Sequence, residues 1–336
     1  MSITYGQEAP SDATNWRSRR LTSFLRHNGP VLLIYGFILL LAGTASVFSD
    51  RFLTASNLLN ILRQSIVLGL LAIGQSLVLL TGGMDISTEM VARLVGLVVA
   101  TIFAANASNP ALILPLVLLG VLIGAVLGVL NGLLITRTHA VPFIITFGVA
   151  FVLRGVNLAI STTPIRGIPD AYLSVYDAKI GIVPVNIIVM GLVWYGVWLF
   201  TTRSRLGRNI YAVGGSERIA RLSAIRVNWT VVAAYVLSSV FAALAGLFLL
   251  SRTGVGDPSA AEGMTFQSIV AAAVGGISLY GGRGSMLGTL GGVLLLTLLS
   301  NFFNLMQVNI FYQQLLLGAI VLIAVAAYKT KSLGSL

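Results

Sequence analysis

Residues 82–93 read GGMDISTEMVAR, and they hold two carboxylates at the start of an apolar span, Asp85 and Glu89, followed by Arg93. On a helix that starts at the aspartate the three are spaced i, i+4 and i+8, so they share one face and Glu89 can pair with Arg93. Two chemistries fit. One is local neutralisation and capping, because carboxylates suit the positive end of a helix. The other is a cation-coupling site, because ionisable groups inside a membrane are expensive and mark ion pathways. Both residues are expected at one cytoplasmic helix start, and no relay of further charges runs across the apolar segments.

Other chemistries lack their residues. There are no cysteines, which removes disulfides, thiolate metal sites and CxxC redox chemistry. The two histidines, His27 and His139, stand alone in expected loops, whereas metal ligands cluster. No Gly-Lys pair exists, so no phosphate-binding P-loop, and neither H-E-x-x-H nor G-x-S-x-G occurs. No catalytic residue, metal or cofactor is expected, and energy for any transport is expected to come from elsewhere.

The elements that position these residues follow from composition. Of 336 residues, 57% are apolar and 9% charged, and the mean hydropathy is +0.94. Soluble chains carry about 25% charged residues, so most of this surface meets something other than water. Apolar windows long enough to cross a bilayer fall at 30–49, 64–81, 86–105, 110–136, 141–161, 182–201, 229–251, 265–281, 284–301 and 310–328. The expected fold is therefore an all-α polytopic membrane protein of about ten transmembrane helices. The 265–281 segment, short and rich in small residues, is expected to be broken or re-entrant, which is tolerated where protein or a water-filled cavity lines it. The chain divides into a cytoplasmic tail (1–29), one transmembrane domain (30–328) and a second cytoplasmic tail (329–336).

The net charge of +11 reads as a positive-inside bias meeting lipid headgroups, not as a nucleic-acid surface. With the N-terminus inside, the inner side collects Arg17, Arg19, Arg20, Arg26, Arg137, the six arginines of 203–226, Arg283, Lys329 and Lys331. The outer side collects only Arg51, Arg63, Arg154, Arg166, Lys179 and Arg252. Both termini are thus expected in the cytoplasm, as is the basic loop 202–228. Within that loop SERIARLSAIR can form about three helical turns, roughly 16 Å. Ser216 is the expected N-cap, and Ala220, Ser223 and Ala224 form a narrow small-residue face. Its faces are too mixed for a membrane-surface helix, which leaves a peg for a protein groove or a solvated basic loop. Gly120, Gly124, Gly128 and Gly132 form a ridge suited to close helix packing, a pore-lining role being the alternative. AIGQSLVLLTGG (72–83) weakly echoes AVGGISLYGG (273–282), and each is expected to end at the cytoplasmic face.

Across nearly its whole length the chain resembles the permease subunits of ribose-type (monosaccharide) ABC transporters. LLAIGQSLVLLTGGMDIS, NGLLITRTHAVPFIITFGVAFVLRGV, RLGRNIYAVGGSERIARLSAI, SIVAAAVGGISLYGGRGSMLGTLGG and FYQQLLLGAIVLIAVA carry the resemblance, in order. It implies a bacterial inner-membrane protein pairing with a second permease chain, identical or homologous. A cytoplasmic ABC ATPase would drive it, and a periplasmic sugar-binding protein would deliver the substrate. Loop 202–228 becomes the coupling helix, shaped and docked on the ATPase by Gly207, Arg208, Gly214, Gly215, Glu217 and Ala220, the glycines there allowing positive-φ turns. Arg51, Arg63, Arg166 and Arg252 become docking cations for the binding protein, snorkelling to headgroups being the alternative for each. The polar residues within spans, Gln75, Asn131, Thr146, Asn157 and Ser278, become candidates to line the path, with Phe143 beside Pro142 as a gate; interhelical hydrogen bonding is their alternative role. Two departures from the family pattern stand out: Thr88-Glu89-Met90 replaces a small, glycine-containing stretch, and the basic loop has Ser216 for a usual Asn and Ala224 for a usual Gly. A nucleoside or branched-chain amino-acid permease is the runner-up, and an ion-coupled carrier or a membrane scaffold stands in another class.

Overall fold

The computed structural model describes residues 15–319 except His139, Ile310 and Leu317, with side chains from Gly29 onward, Pro30 excepted. The tail 329–336, most of the expected span 310–328 and the first part of the tail 1–29 lie outside these residues. Within the described residues these α-helices follow in order: α1 (Asn15–Phe48), α2 (Ala55–Leu80), α3 (Thr88–Ala105), α4 (Ile113–Thr138), α5 (Pro142–Ile160), α6 (Asp170–Asp177), α7 (Val185–Arg203), α8 (Arg205–Gly215), α9 (Glu217–Leu222), α10 (Val227–Thr253), α11 (Met264–Val274) and α12 (Met286–Leu305), and residues 311–316 are helical as well. A short hairpin, β1 (Lys179–Ile180) and β2 (Val183–Pro184), lies between α6 and α7. Among the described residues eight helices are long and apolar enough to cross a membrane.

Caps set several boundaries. Thr54 accepts a hydrogen bond from the Asn57 amide at the start of α2, and Ser285 accepts one from the Gly288 amide at the start of α12. Pro142 occupies the first turn of α5, where its missing N–H costs nothing. Gly254, at φ 67°, ends α10 in the left-handed conformation.

Helix α2 is the axis of the molecule, buried without interruption from Ser65 to Leu80, with α10, α11, α12 and α7 around it. The glycine ridge of α4 is spent on α10. A Cβ at Gly124 would lie 2.7 Å from the Ser239 carbonyl oxygen, and at Gly128 and Gly132 it would meet the backbones of Val236 and Val232. The partners descend α10 as the glycines climb α4, so the two run antiparallel with backbones in contact. The outward side of α4 carries Leu114, Leu118, Leu122, Val126, Val129 and Leu130, an aliphatic face for lipid.

The 265–281 segment is not a full span. Its helix, α11, has 11 residues, about 16 Å of rise, and gives way at Gly275 and Gly276 to a coil running to Ser285. The start of α3 also departs from expectation. The helix begins at Thr88, leaving Asp85 outside it on a non-helical linker, and Asp85 accepts a hydrogen bond from Ser238, 11 residues into α10. Asp85 therefore lies about 16 Å along α10 from its first turn, well inside the protein and not level with the end of α2. Sequence patterns did not announce α6 and the hairpin, which close the end opposite the basic loop; Tyr172 of α6 is buried and donates to the Leu247 carbonyl at 2.8 Å.

Candidate functional site

The basic loop folds as two helices joined at Ser216, not one. Helix α8 is capped by Ser204, which accepts from the Gly207 amide at 2.8 Å, and α9 by Ser216, which accepts from the Ile219 amide at 3.3 Å. The Ser216 cap agrees with expectation. The helix it begins is six residues long, not three turns, because Ala224 adopts φ 60°. There Ile225 N–H bonds to the Ala220 carbonyl and Ala224 N–H to the Arg221 carbonyl, the two bonds of a Schellman end.

Two glycines of α8, Gly207 and Gly214, are required for close approach, and Gly215 is not. Neither Gly207, Gly214 nor Gly215 has a positive φ, which corrects the turn-based reason for them. A Cβ on Gly214 would collide with the Leu80 carbonyl oxygen and approach the Gly282 nitrogen at 2.6 Å; one on Gly207 would collide with the Phe200 carbonyl. The positive-φ glycines are across the contact: Gly82, Gly281 and Gly282 have φ 84°, 89° and 70°. Gly282 N–H donates to Leu80 O at 3.0 Å, and Tyr211 of α8 donates to Gly284 O at 3.0 Å. Burial pushes the Tyr211 hydroxyl above its ordinary range, keeping it a donor. The ends of the two echoing segments, 72–83 and 273–282, thus meet each other and α8.

Helix α9 shows its surface. Ala220 is not outward: it is buried against Val213 and Val227 and seats the helix on its own protein, whereas Ser223 and Ala224 of the small-residue face are exposed. Ile219 and Leu222 project instead, 64% and 80% exposed, beside exposed Arg218. Glu217 pairs with Arg221 at 2.6 Å, and Arg221 reaches Asn228 of α10 at 3.1 Å. Arg208 donates to the Arg203 carbonyl, bracing the entry to α8. Between α9 and the turn from α4 to α5 lies a cleft of about 310 Å³, bordered by Thr81, Gly83, Thr136, Glu217, Arg221 and Tyr235 among others.

From Leu80 the chain enters the linker to α3, where side chains of three helices hold it. Asp85 Oδ1 accepts from the Ser87 amide at 3.0 Å and hydroxyl at 2.6 Å, and Oδ2 accepts from Ser238 at 3.0 Å. Asn131 of α4 donates to Ser87, Tyr235 of α10 donates to Met84 O, and Thr146 of α5 accepts from the Ile86 amide. At the start of α3, Thr88 hydrogen-bonds Thr265 of α11, and the Glu89 amide donates to the same hydroxyl. Glu89 pairs with Arg93 at 2.8 Å, as the spacing predicts, and Arg93 Nε donates to Ala260 O. Both carboxylates are occupied by donors from their own chain: Arg93 neutralises Glu89, while Asp85, which neither caps α3 nor has an ion pair among the described residues, is held by serines. Among the described residues no group of three or more His, Cys, Asp or Glu could hold a metal.

The remaining path candidates are scattered. Gln75, Asn131, Thr146 and Asn157 are buried within the chain. Asn157 donates to Met90 O, and both amide atoms of Gln75 are enclosed without a hydrogen-bond partner. Ser278 caps the turn beside the α8 contact, accepting from Tyr280 N. Phe143 is open, 42% exposed and stacked on Phe147. At the opposite end Arg51, Arg166 and Arg252 are exposed. Arg63 is engaged internally: its guanidinium sits 4.7 Å from the Tyr176 ring centroid, donates to Tyr176 O and lies 3.8 Å from Asp177. Sequence reasoning missed Ile219, Leu222 and Tyr211; the first two interrupt a basic run with large apolar side chains, and that was the available signal.

A family model described as the permease component of the branched-chain amino acid transport system matches residues 57–325. The chain is 39% identical over 308 residues to the ribose import permease protein of Bacillus subtilis (strain 168), covering 90% of this chain and 93% of that one. It is 34% identical to the D-allose transport system permease protein of Escherichia coli (strain K12), over 87% and 90% of the two chains. It is 31% identical to the fructose import permease protein of Rhizobium meliloti, over 92% and 87%. No solved structure matches the chain.

Proposed function

Because this chain belongs to the family of branched-chain amino acid transport system permease components, we propose that it is the membrane-spanning permease subunit of an ATP-driven sugar importer. The relatives named above support the sugar class, since matches at 31–39% identity run along most of both chains and carry sugar names. As a transport subunit it performs no catalysis of its own, and a separate cytoplasmic ABC ATPase hydrolyses the ATP. The observation that carries this reading is the interlock at the basic end. A protein pressing on Ile219 and Leu222 of α9 would move α8, and α8 touches the backbone at Leu80 and Gly282 with no slack. Leu80 leads directly into the Met84–Ser87 linker gripped by α4, α5 and α10. Displacement at the loop therefore reaches mid-protein through stiff contacts, which suits coupling of nucleotide binding to a change of access.

In this reading the basic end and both termini face the cytoplasm of the bacterial inner membrane, following the positive-inside bias. Two permease chains enclose the path, and Arg51, Arg166 and Arg252 orient a periplasmic binding protein through carboxylates; reversing all three charges should weaken docking and flatten its salt dependence, and an unchanged salt slope in a binding titration would make them bystanders. The decisive experiment is reconstitution in proteoliposomes with the ATPase and binding protein. Uptake of ribose, allose or fructose should require both partners and ATP. Uptake driven by an ion gradient without them would establish an autonomous carrier instead.

A further inference from the structure

Helix α5 is attached to the rest of the chain by a narrow buried strip, Thr146, Ala150, Leu153 and Asn157, flanked by the partly buried Ile145, Val149 and Ile160, and most of its remaining surface is exposed. That uncovered surface differs from the aliphatic outer face of α4. Phe143, Phe147 and Phe151, spaced i, i+4 and i+8, form a ladder with ring centroids 5.7 Å and 4.8 Å apart. All three are open, at 42%, 43% and 57% exposure. At 100° per residue Arg154 falls inside the same stripe of about 80°. It is exposed and has no ion pair or side-chain hydrogen bond among the described residues. Six residues, about 9 Å, separate it from the end of α5, and a helical Cα–Cβ bond leans back toward the N-terminus, here toward Phe151 and away from the nearer surface. An unpaired guanidinium so placed is costly against hydrocarbon, so this stripe faces a wet or protein-lined space.

The geometry points to the Phe143–Phe147–Phe151 ladder with Arg154 as a sugar-binding track along the translocation path, a deduction that rests on the permease reading above. Sugars present C–H faces that pack on aromatic rings and hydroxyls that accept from a guanidinium. Successive rings hold a sugar weakly at several adjacent places, which permits both entry and departure, as conduction requires. The track lies on the open side of α5, next to the buried strip that includes Thr146 and Asn157.

The test uses the complete transporter in proteoliposomes with D-ribose, D-allose and D-fructose as probes. Replacing Phe147 and Phe151 together by Leu keeps an apolar, lipid-compatible surface but removes two rings, and should lower uptake about tenfold. Basal ATPase activity and binding-protein affinity should not change. Phe147→Tyr, which keeps a ring, should stay within about twofold of wild type. Because the native chain has no cysteine, Phe147→Cys and Phe151→Cys can be labelled directly; a small water-soluble thiol reagent should reach both, and the transported sugar should slow the labelling. Normal uptake by the double Leu variant would mean that the stripe faces lipid. Protection from the reagent together with a disulfide between two copies would mean that it is sealed against a second chain. Either result overturns the track while wild-type uptake still supports the permease. Absence of sugar uptake by the wild type overturns both.

Discussion

Helices α8 and α9 are neighbours in one basic segment, yet one is locked and the other is free. Every turn of α8 is committed inward: Gly207 to the end of α7, Tyr211 to Gly284 and Gly214 to Leu80 and Gly282. Helix α9 buries only Ala220, adds one exposed hydrogen bond from Arg221 to Asn228 of α10, and turns Ile219 and Leu222 outward. The difference separates two tasks that a single peg would have to combine. On the proposed coupling role one helix would receive force and the other would pass it to backbone, with the Ser216 cap at the junction between them. Substitutions in the two should therefore fail differently.

The largest expected effect comes from the locked helix. Gly214→Ala drives a methyl into the Leu80 carbonyl, where the opposing atoms are backbone and cannot rotate away. Overpacking of this kind costs about 3 kcal/mol, and the variant should show a clearly lowered thermal midpoint in detergent with poor membrane yield. Gly215→Ala is the control, because a Cβ there meets nothing within 4 Å; it should leave the midpoint unchanged or slightly raised through better helix propensity. Equal damage from both would mean that α8 is not held at Gly214.

The contrast between α8 and α9 also marks where the sequence was legible. Hydropathy placed the long spans because lipid contact demands continuous apolar runs, and four glycines at intervals of four foretold close packing on one side of α4, though not that α10 is the partner. Ser216 and the Glu89–Arg93 pair are local interactions, so local spacing was sufficient. The role of Gly214 is not local. Its partner, Leu80, is 134 residues away in sequence by subtraction of their numbers, and helical dihedrals conceal why glycine is needed. Asp85 was misplaced for a related reason: the chain turns back into the protein without helical structure, so counting residues from a helix start gave the wrong depth. Ala220 was expected to help shape and dock the helix on the ATPase because a small-residue face suits either a partner or the chain's own core.

The next effect belongs to the free helix. Ile219→Asp with Leu222→Asp removes the exposed apolar pair without touching buried groups. Surface changes of this kind usually alter stability by less than about 0.5 kcal/mol, so the thermal midpoint should hold. Binding-protein-dependent uptake should fall about tenfold or more, as expected when apolar anchors are lost from an interface. The outcome that breaks the comparison is full uptake in a correctly inserted variant, which would move the ATPase contact elsewhere, for example to the basic face of Arg218.

The smallest effect is expected where α9 ends. Ala224 occupies the C′ position of the Schellman motif at φ 60°, a conformation in which its Cβ crowds the following carbonyl. The two bonds that close the motif, Ile225 to Ala220 and Ala224 to Arg221, are backbone bonds and do not depend on that methyl. Ala224 is also exposed, so removing the methyl opens no cavity. Ala224→Gly should therefore stabilise the protein by up to about 1 kcal/mol, because the strain relieved exceeds the extra freedom glycine gives the unfolded chain. Uptake should not change, since α9 keeps its length and its outward pair. A thermal midpoint that falls in Ala224→Gly would show that the methyl is a contact and not a burden, and would place the end of α9 among the locked parts of the loop.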